Sequence, residues 1–394
     1  MNGNDRYSEL DSLRGLAATT VLLSHLSLVL SNVGIIERFT RTPLHILWAG
    51  HEAVILFFVL SGFVLSLAYL NNKASSYKDF LIRRICRIYI PYLVSVLIAF
   101  SLMMILARGG IEGLSGWFNQ AWTSPITMEL IINHIILLIN FETEAVNGVI
   151  WSLVHEMRIS IIFPLIIIFV VKLSWKKSLI LALLLSSLYF ILYLVFLNYL
   201  KFDVTRYQSS YSSTLHYISF FILGAVLAKY SRQLSDIYNK LTLWIKVVFL
   251  LIAVLSYTYQ WTFNINITIF NIQIVKDWAV ALGVSIFIIF VLNAQMIQKL
   301  LKINLINFVG KISYSLYLYH LIVLFMLFHI FYGKLSNLVL FPTVFILSFV
   351  VAALMYYLVE KPSILIGRHL THKKKIDLTT PVGPASISES NSGS

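Results

Sequence analysis

The amino-acid sequence predicts an all-α, polytopic membrane protein with about ten transmembrane helices, one short re-entrant or interfacial segment, and both termini in the cytoplasm. Three observations predict it. Of the 394 residues only 12% are charged and 59% are hydrophobic. A soluble domain carries about 25% charged and about 45–50% apolar residues, so one water-facing core cannot hide this much apolar surface. The chain also breaks into apolar runs of about 20 residues, the length that crosses a hydrocarbon layer roughly 30 Å thick. Finally, the basic residues between those runs alternate in density, as the positive-inside rule requires.

The first run, residues 10–30, holds Asp11 and Arg14 and is followed by no small-residue cleavage site, so it reads as an anchor and not as a cleaved signal peptide. Residues 47–70 carry AGHEAVILFFVLSGFVLS, and residues 88–106 follow the basic stretch KDFLIRRICR, with Pro91 tolerated in the first turns of a helix. Residues 130–141 form an apolar stretch too short to span. Residues 150–171 open with WSLVHEM, and residues 179–197 follow the lysines at 172, 176 and 177. Residues 215–228 and 278–292 are short and must borrow flanking residues, with 243–261 between them. The last two runs are 312–331 and 339–358, after which Glu360, Lys361 and Pro362 read as a helix stop with a local ion pair.

If 130–141 does not cross, the inner loops hold 21 of the 30 Lys and Arg residues and the outer loops 7. Counting it as a span would put every later basic loop outside, so ten spans fit better. The net charge of +13 is then a topology signal, and nucleic acid is not an expected partner. The single cysteine, Cys86, excludes an intramolecular disulfide framework and any Cys-based metal centre, and no metal site is expected. The domain reading is one integral-membrane unit, residues 1–362. Residues 363–394 follow as a cytoplasmic basic stretch and then a Ser/Thr/Pro/Gly-rich tail whose composition predicts disorder.

Ionisable residues at membrane depth persist where they line a cavity or pair with one another. Arg14 and His25 share one face of the first helix, about 16 Å apart along the axis. Arg14 reads either as a snorkelling interface residue or as functional, and His25 as a satisfied core histidine or as functional. In the second run His51 and Glu52 lie near the outer end, while Ser61 and Gly62 mark either close helix packing or close approach to a ligand. Arg83, Arg84 and Arg87 stand at the cytoplasmic mouth of the third helix, as topology signals or as a phosphate-capturing cluster. His155, Glu156 and Arg158 fall within four positions of an apolar helix, a density that favours function or a buried polar network over packing. His320 sits at mid-depth beside a tyrosine stripe.

Taken together, LDSLRG with Arg14 and His25 in an Arg-x10-His pair, LFFVLSGF, RRICRIYIPY, WSLVHEMRIS, ISYSLYLYH and the closing VEKP resemble acyltransferase family 3 over residues 10–362. Many members carry an acidic residue where this chain has Ile55, and a second Glu after the one matched by Glu156. Glu52 lies close enough to supply the first of these carboxylates. The resemblance implies a membrane O-acyltransferase of the cell envelope, moving an acyl group, acetyl foremost, from cytosolic acyl-CoA to a hydroxyl of an extracytoplasmic or lipid-linked carbohydrate.

It implies no tightly bound cofactor, with acyl-CoA as a co-substrate. This chain shows no esterase domain of the kind some members carry, so the implied partner is a separate periplasmic or extracellular transferase. His25, Arg14 and Glu156 would be catalytic. Arg14, Arg83, Arg84 and Arg87 would hold the donor, and His51, Glu52, His155, Arg158 and His320 would face the acceptor. The pantetheine arm would present the thioester near His25, acting as general base or as transient acyl carrier. Glu156 or His155 would orient His25 or bind sugar hydroxyls, and Arg158 would steady a carboxylate or the oxyanion. The alternative is a glycan or lipid transporter whose buried charges form a permeation path.

Overall fold

A computed structural model describes residues 7–30, 39–107, 109–198, 208–262 and 272–371. The C-terminal tail from residue 372, and the basic residues Arg6, Arg38, Arg108, Lys201 and Arg206 used in reading the topology, lie outside the described residues. Among those described, secondary structure is helical apart from two isolated β-bridges.

The long helices follow the apolar runs. They are α1 (Ser8–Leu28), α2 (Gly50–Leu70), α3 (Tyr77–Leu106), the short α4 (Met128–Ile136), α5 (Ile150–Lys172), α6 (Trp175–Asn198) and α7 (Tyr211–Lys229). After the surface helix α8 (Ser231–Lys240) come α9 (Leu243–Tyr257), α10 (Gln273–Asn293), α11 (Gln295–Leu301), α12 (Asn304–Lys311), α13 (Ser313–Phe331) and α14 (Asn337–Thr371). Eight of these, α2, α3, α5, α6, α7, α10, α13 and α14, are long and apolar enough to cross a membrane. The protein is a multi-pass membrane protein. Helix α1 has the length but carries Glu9, Asp11, Arg14 and His25, and the 15 residues of α9 fall short of a full crossing.

One local feature follows the pattern in the sequence and two differ from it. The stretch 130–141 holds only the last seven residues of the nine-residue helix Met128–Ile136 before Leu137 turns into the left-handed region at φ 59°, too short to cross, as the sequence predicts. Helix α3 begins at Tyr77, eleven residues before the apolar run, because Ser76 caps it by accepting from the Asp79 amide. The expected stop at Glu360, Lys361 and Pro362 is instead a continuous helix running to Thr371, with a π turn at Tyr356–Glu360. Pro362 stands in the first turn of the α segment that follows, where a missing N–H is tolerated. Residues 363–371 therefore pack as helix against α3, and buried Glu360 accepts from the Ser315 hydroxyl at 2.6 Å.

Glycines set the close crossings. A Cβ on Gly62 would run into the Phe221 backbone, and one on Gly224 into the backbone of Val59 and Phe63, so α2 and α7 meet backbone to backbone. Helix α13 is the most deeply enclosed, whereas α6 and α14 lie at the periphery.

Candidate active site

Helix α1 is held between α2, α12 and α13. Gly15 and Gly310 permit the α1–α12 crossing, since a Cβ on either would meet the other helix's backbone under 3 Å away. Gly50 permits the α1–α2 approach, because its Cβ would lie 2.6 Å from the Ser24 hydroxyl. That approach brings His51, the second residue of α2, to the same cavity wall as His25. The cavity has a volume of about 740 Å³ and is lined also by Glu52, Trp117, Trp151 and Trp261.

Among the described residues, the side chain that holds the His25 ring by a hydrogen bond is His320. His320 Nδ1–H donates to the Leu316 carbonyl at 2.9 Å, a partner that only accepts. In a neutral ring His320 Nε2 is then the unprotonated nitrogen. It lies 2.9 Å from His25 Nδ1, so His25 Nδ1 carries the proton and donates. This leaves a lone pair on His25 Nε2. The ring is clamped between His320 and Trp117, with centroids 5.1 Å and 5.3 Å away. His320 itself is fully buried.

A second cavity of about 110 Å³ lies on the arginine side of the bundle, lined by Arg14, Arg84, Arg87, Glu156, Ser61 and Tyr314. Val54 and Tyr317 form part of the wall of both cavities. The Tyr317 hydroxyl pairs with Ser152 Oγ at 2.6 Å, and Phe57 stands edge-on to its ring. The arginines divide by partner. Arg84 donates to Glu156 at 2.9 Å and to Ser160 at 2.8 Å, and Arg83 donates to Thr371 at 2.7 Å outside the cavity wall. The guanidinium groups of Arg14 and Arg87 have no hydrogen-bond or ion-pair partner among the described residues. A π turn at Ile85–Tyr89 sets Arg84 and Arg87 toward one cavity, and Tyr314 donates to the Ile88 carbonyl within it at 2.8 Å.

The residues singled out from the sequence are thus sorted into three places. His25, His51 and Glu52 line the wider cavity, with His320 directly behind His25. Arg14, Arg84, Arg87 and Glu156 line the smaller one, and Arg83 does not. His155 and Arg158 line neither. His155 has both ring nitrogens engaged at 2.9 Å, by Thr214 Oγ1 and the Gln208 carbonyl. Arg158 donates to the carbonyls of Leu138, Ile139 and Ser209 and to Thr214 Oγ1, tying the segment after α4 to the start of α7. The neighbour that orients His25 is His320, while Glu156 is occupied by Arg84 and Ser61.

Ser61 and Gly62 each follow one of their two readings, Ser61 at a cavity and Gly62 in helix packing. Asp277, His216 and the cavity tryptophans were not singled out from the sequence. Asp277 stands one residue before the run 278–292, whose shortness was the available signal, since the residues it borrows bring Asp277 inside α10.

Comparison with known proteins bears on the family. The model of the acyltransferase domain family matches residues 7–357. Acyltransferase MdmB from Streptomyces mycarofaciens is 30% identical over 168 residues, a stretch covering 41% of this chain and 39% of that protein. The alignment therefore spans well under half of the relative's length. No solved structure matches.

Proposed function

The chain belongs to the acyltransferase domain family, and from that premise we propose that this membrane enzyme moves an acyl group, acetyl foremost, from cytosolic acyl-CoA to a hydroxyl of an extracytoplasmic or lipid-linked carbohydrate. Family membership replaces the transporter alternative. The observation that carries the reading is a pair of cavities of opposite chemistry sharing the walls Val54 and Tyr317. One offers the open guanidinium groups of Arg14 and Arg87, the other an imidazole with a lone pair and several tryptophan faces.

In this reading Arg14 and Arg87 hold the phosphorylated end of the donor, since guanidinium forks suit phosphate geometry. Arg84 keeps Glu156 paired and leaves the cavity cationic on balance. The pantetheine arm reaches past Tyr317, over an axial distance of about 16 Å from Arg14 to His25. The acceptor hydroxyl lies against His25 Nε2, which takes its proton while the oxygen attacks the thioester carbon. The C–S bond then breaks, and the proton passes from His25 to the leaving thiolate to give free CoA. His320 keeps the lone pair in place by accepting from His25 Nδ1.

The test is transfer by the purified protein in lipid, with acetyl-CoA labelled in the acetyl group and the cells' own envelope glycans added. Label in the glycan together with stoichiometric free CoA is expected. Free CoA without labelled glycan would overturn the carbohydrate acceptor, and neither product would overturn the donor.

A further inference from the structure

Asp277 is a carboxylate of α10 with only 1% of its surface exposed, and three N–H groups converge on it. Oδ1 accepts from His51 Nε2 at 2.7 Å and from the Gln273 amide at 2.7 Å, and Oδ2 accepts from His216 Nε2 at 3.0 Å. The two imidazoles differ in what lies beyond them. His216 is buried, with Nδ1 on the Ser186 hydroxyl at 3.0 Å, and Trp278 donates to that same hydroxyl. His51 opens onto the wider cavity with 31% of its side chain exposed. Its Nδ1 has no hydrogen-bond partner among the described residues.

His45 completes the corner. It lines the same cavity at 4% exposure, and its buried Nδ1 has no hydrogen-bond partner among the described residues. A buried nitrogen in that condition is destabilising unless something arrives to bond it. Its ring lies 4.3 Å from that of Trp261, whose indole N–H is taken up by Glu52 at 2.8 Å. Nitrogens with unused hydrogen-bonding capacity beside indole faces suit a polyhydroxylated ring, which offers hydroxyls at its rim and C–H groups on its faces.

We infer that His51 and His45 form the subsite that binds the hydroxyls of the acceptor, and that Asp277 is the positioning residue that holds His51 in it. The inference rests on the reading that the wider cavity receives a carbohydrate. His25 acts on the reacting hydroxyl, while His51 engages a neighbouring one. Asp277 fixes which nitrogen of His51 faces the sugar, because the carboxylate takes up Nε2–H and leaves Nδ1 to meet the hydroxyl. His216 and Gln273 in turn hold the carboxylate.

The experiment compares wild type with His51→Ala, Asp277→Asn and His51→Asn in membrane vesicles from the cells that make the protein, with labelled acetyl-CoA and the vesicles' own glycans. In parallel, the rise in unfolding midpoint caused by CoA is measured on each detergent-purified variant. His51→Ala and Asp277→Asn are expected to lower label transfer at least tenfold and to keep the wild-type response to CoA. His51→Asn, whose amide can still meet a hydroxyl, is expected to recover at least a third of the activity.

Transfer within twofold of wild type in His51→Ala would overturn the inference, as would loss of the CoA response together with transfer, which marks a structural role. Wild type that responds to CoA but labels no glycan would overturn the carbohydrate reading instead.

Discussion

Two groups of ionisable residues lie at membrane depth in this bundle, and they differ in how much of their hydrogen-bonding capacity the protein itself consumes. On α5, His155 and Arg158 are saturated: both nitrogens of the one and four acceptors around the other belong to the fold. On α1 and α2, His25 and His51 are each held by one nitrogen and open at the other. The cost of placing a polar group in hydrocarbon is offset within the fold in the first case. In the second it is offset only on the edge away from the cavity. Buried polarity alone therefore does not mark a site. The open edge does.

The contrast is broken most sharply by removing one member of each group. His25→Ala is expected to lower acyl transfer about 1,000-fold, within the usual range for a general base, with the CoA-induced rise in unfolding midpoint unchanged. Arg158→Ala is expected to act on folding instead. It strands the carbonyls of Leu138, Ile139 and Ser209 and destabilises by about 3 kcal/mol, read as a lower midpoint and lower yield, with near-normal turnover in the molecules that fold. If the two variants exchanged phenotypes, the distinction between saturated and open groups would fail.

How far the sequence showed this in advance follows from the same distinction. Hydropathy made the helices legible because each residue reports its own transfer energy, and the positions of His25, Arg14 and Glu156 were visible as interruptions in apolar runs. Their partners were not. His320 and His25 are 295 residues apart, and only the packing of α13 against α1 makes one orient the other. WSLVHEMR looked like one polar cluster, yet helical geometry sends Glu156 to the arginine cavity and His155 and Arg158 toward α7 and the loop before it. The π turn in α3 was equally hidden, because it changes the phase of a helix without changing its composition.

His45 represents a third condition, a buried ring whose Nδ1 has no hydrogen-bond partner among the described residues. It lies outside the spanning helices, in the turn Pro43–Trp48, and burial pulls its pKa down to about 4 from a usual value near 6.5. Unfolding therefore takes up a proton between those two values. Stability contributed by the neutral ring is present above about pH 6.5 and is lost as pH falls toward 4, by about 2 kcal/mol. His45→Phe is expected to flatten this part of the stability–pH curve in detergent, and an unchanged curve would remove His45 as its cause.

The smallest effect separates residues the sequence presents as equals. Arg83, Arg84 and Arg87 read as one basic cluster, but Arg83 turns to Thr371 on α14 and Arg84 is committed to Glu156 and Ser160. Arg87 lines the cavity with its donors open. Arg87→Ala is expected to raise the KM for acetyl-CoA about tenfold and leave kcat within twofold, because a phosphate contact remote from the thioester contributes equally to ground and transition states. Arg83→Ala is expected to leave both within twofold. Equal effects from the two would mean that the donor is steered by the summed charge of the cluster, with no dependence on which guanidinium has open donors, and the smaller cavity would then lose its claim to be the donor's seat.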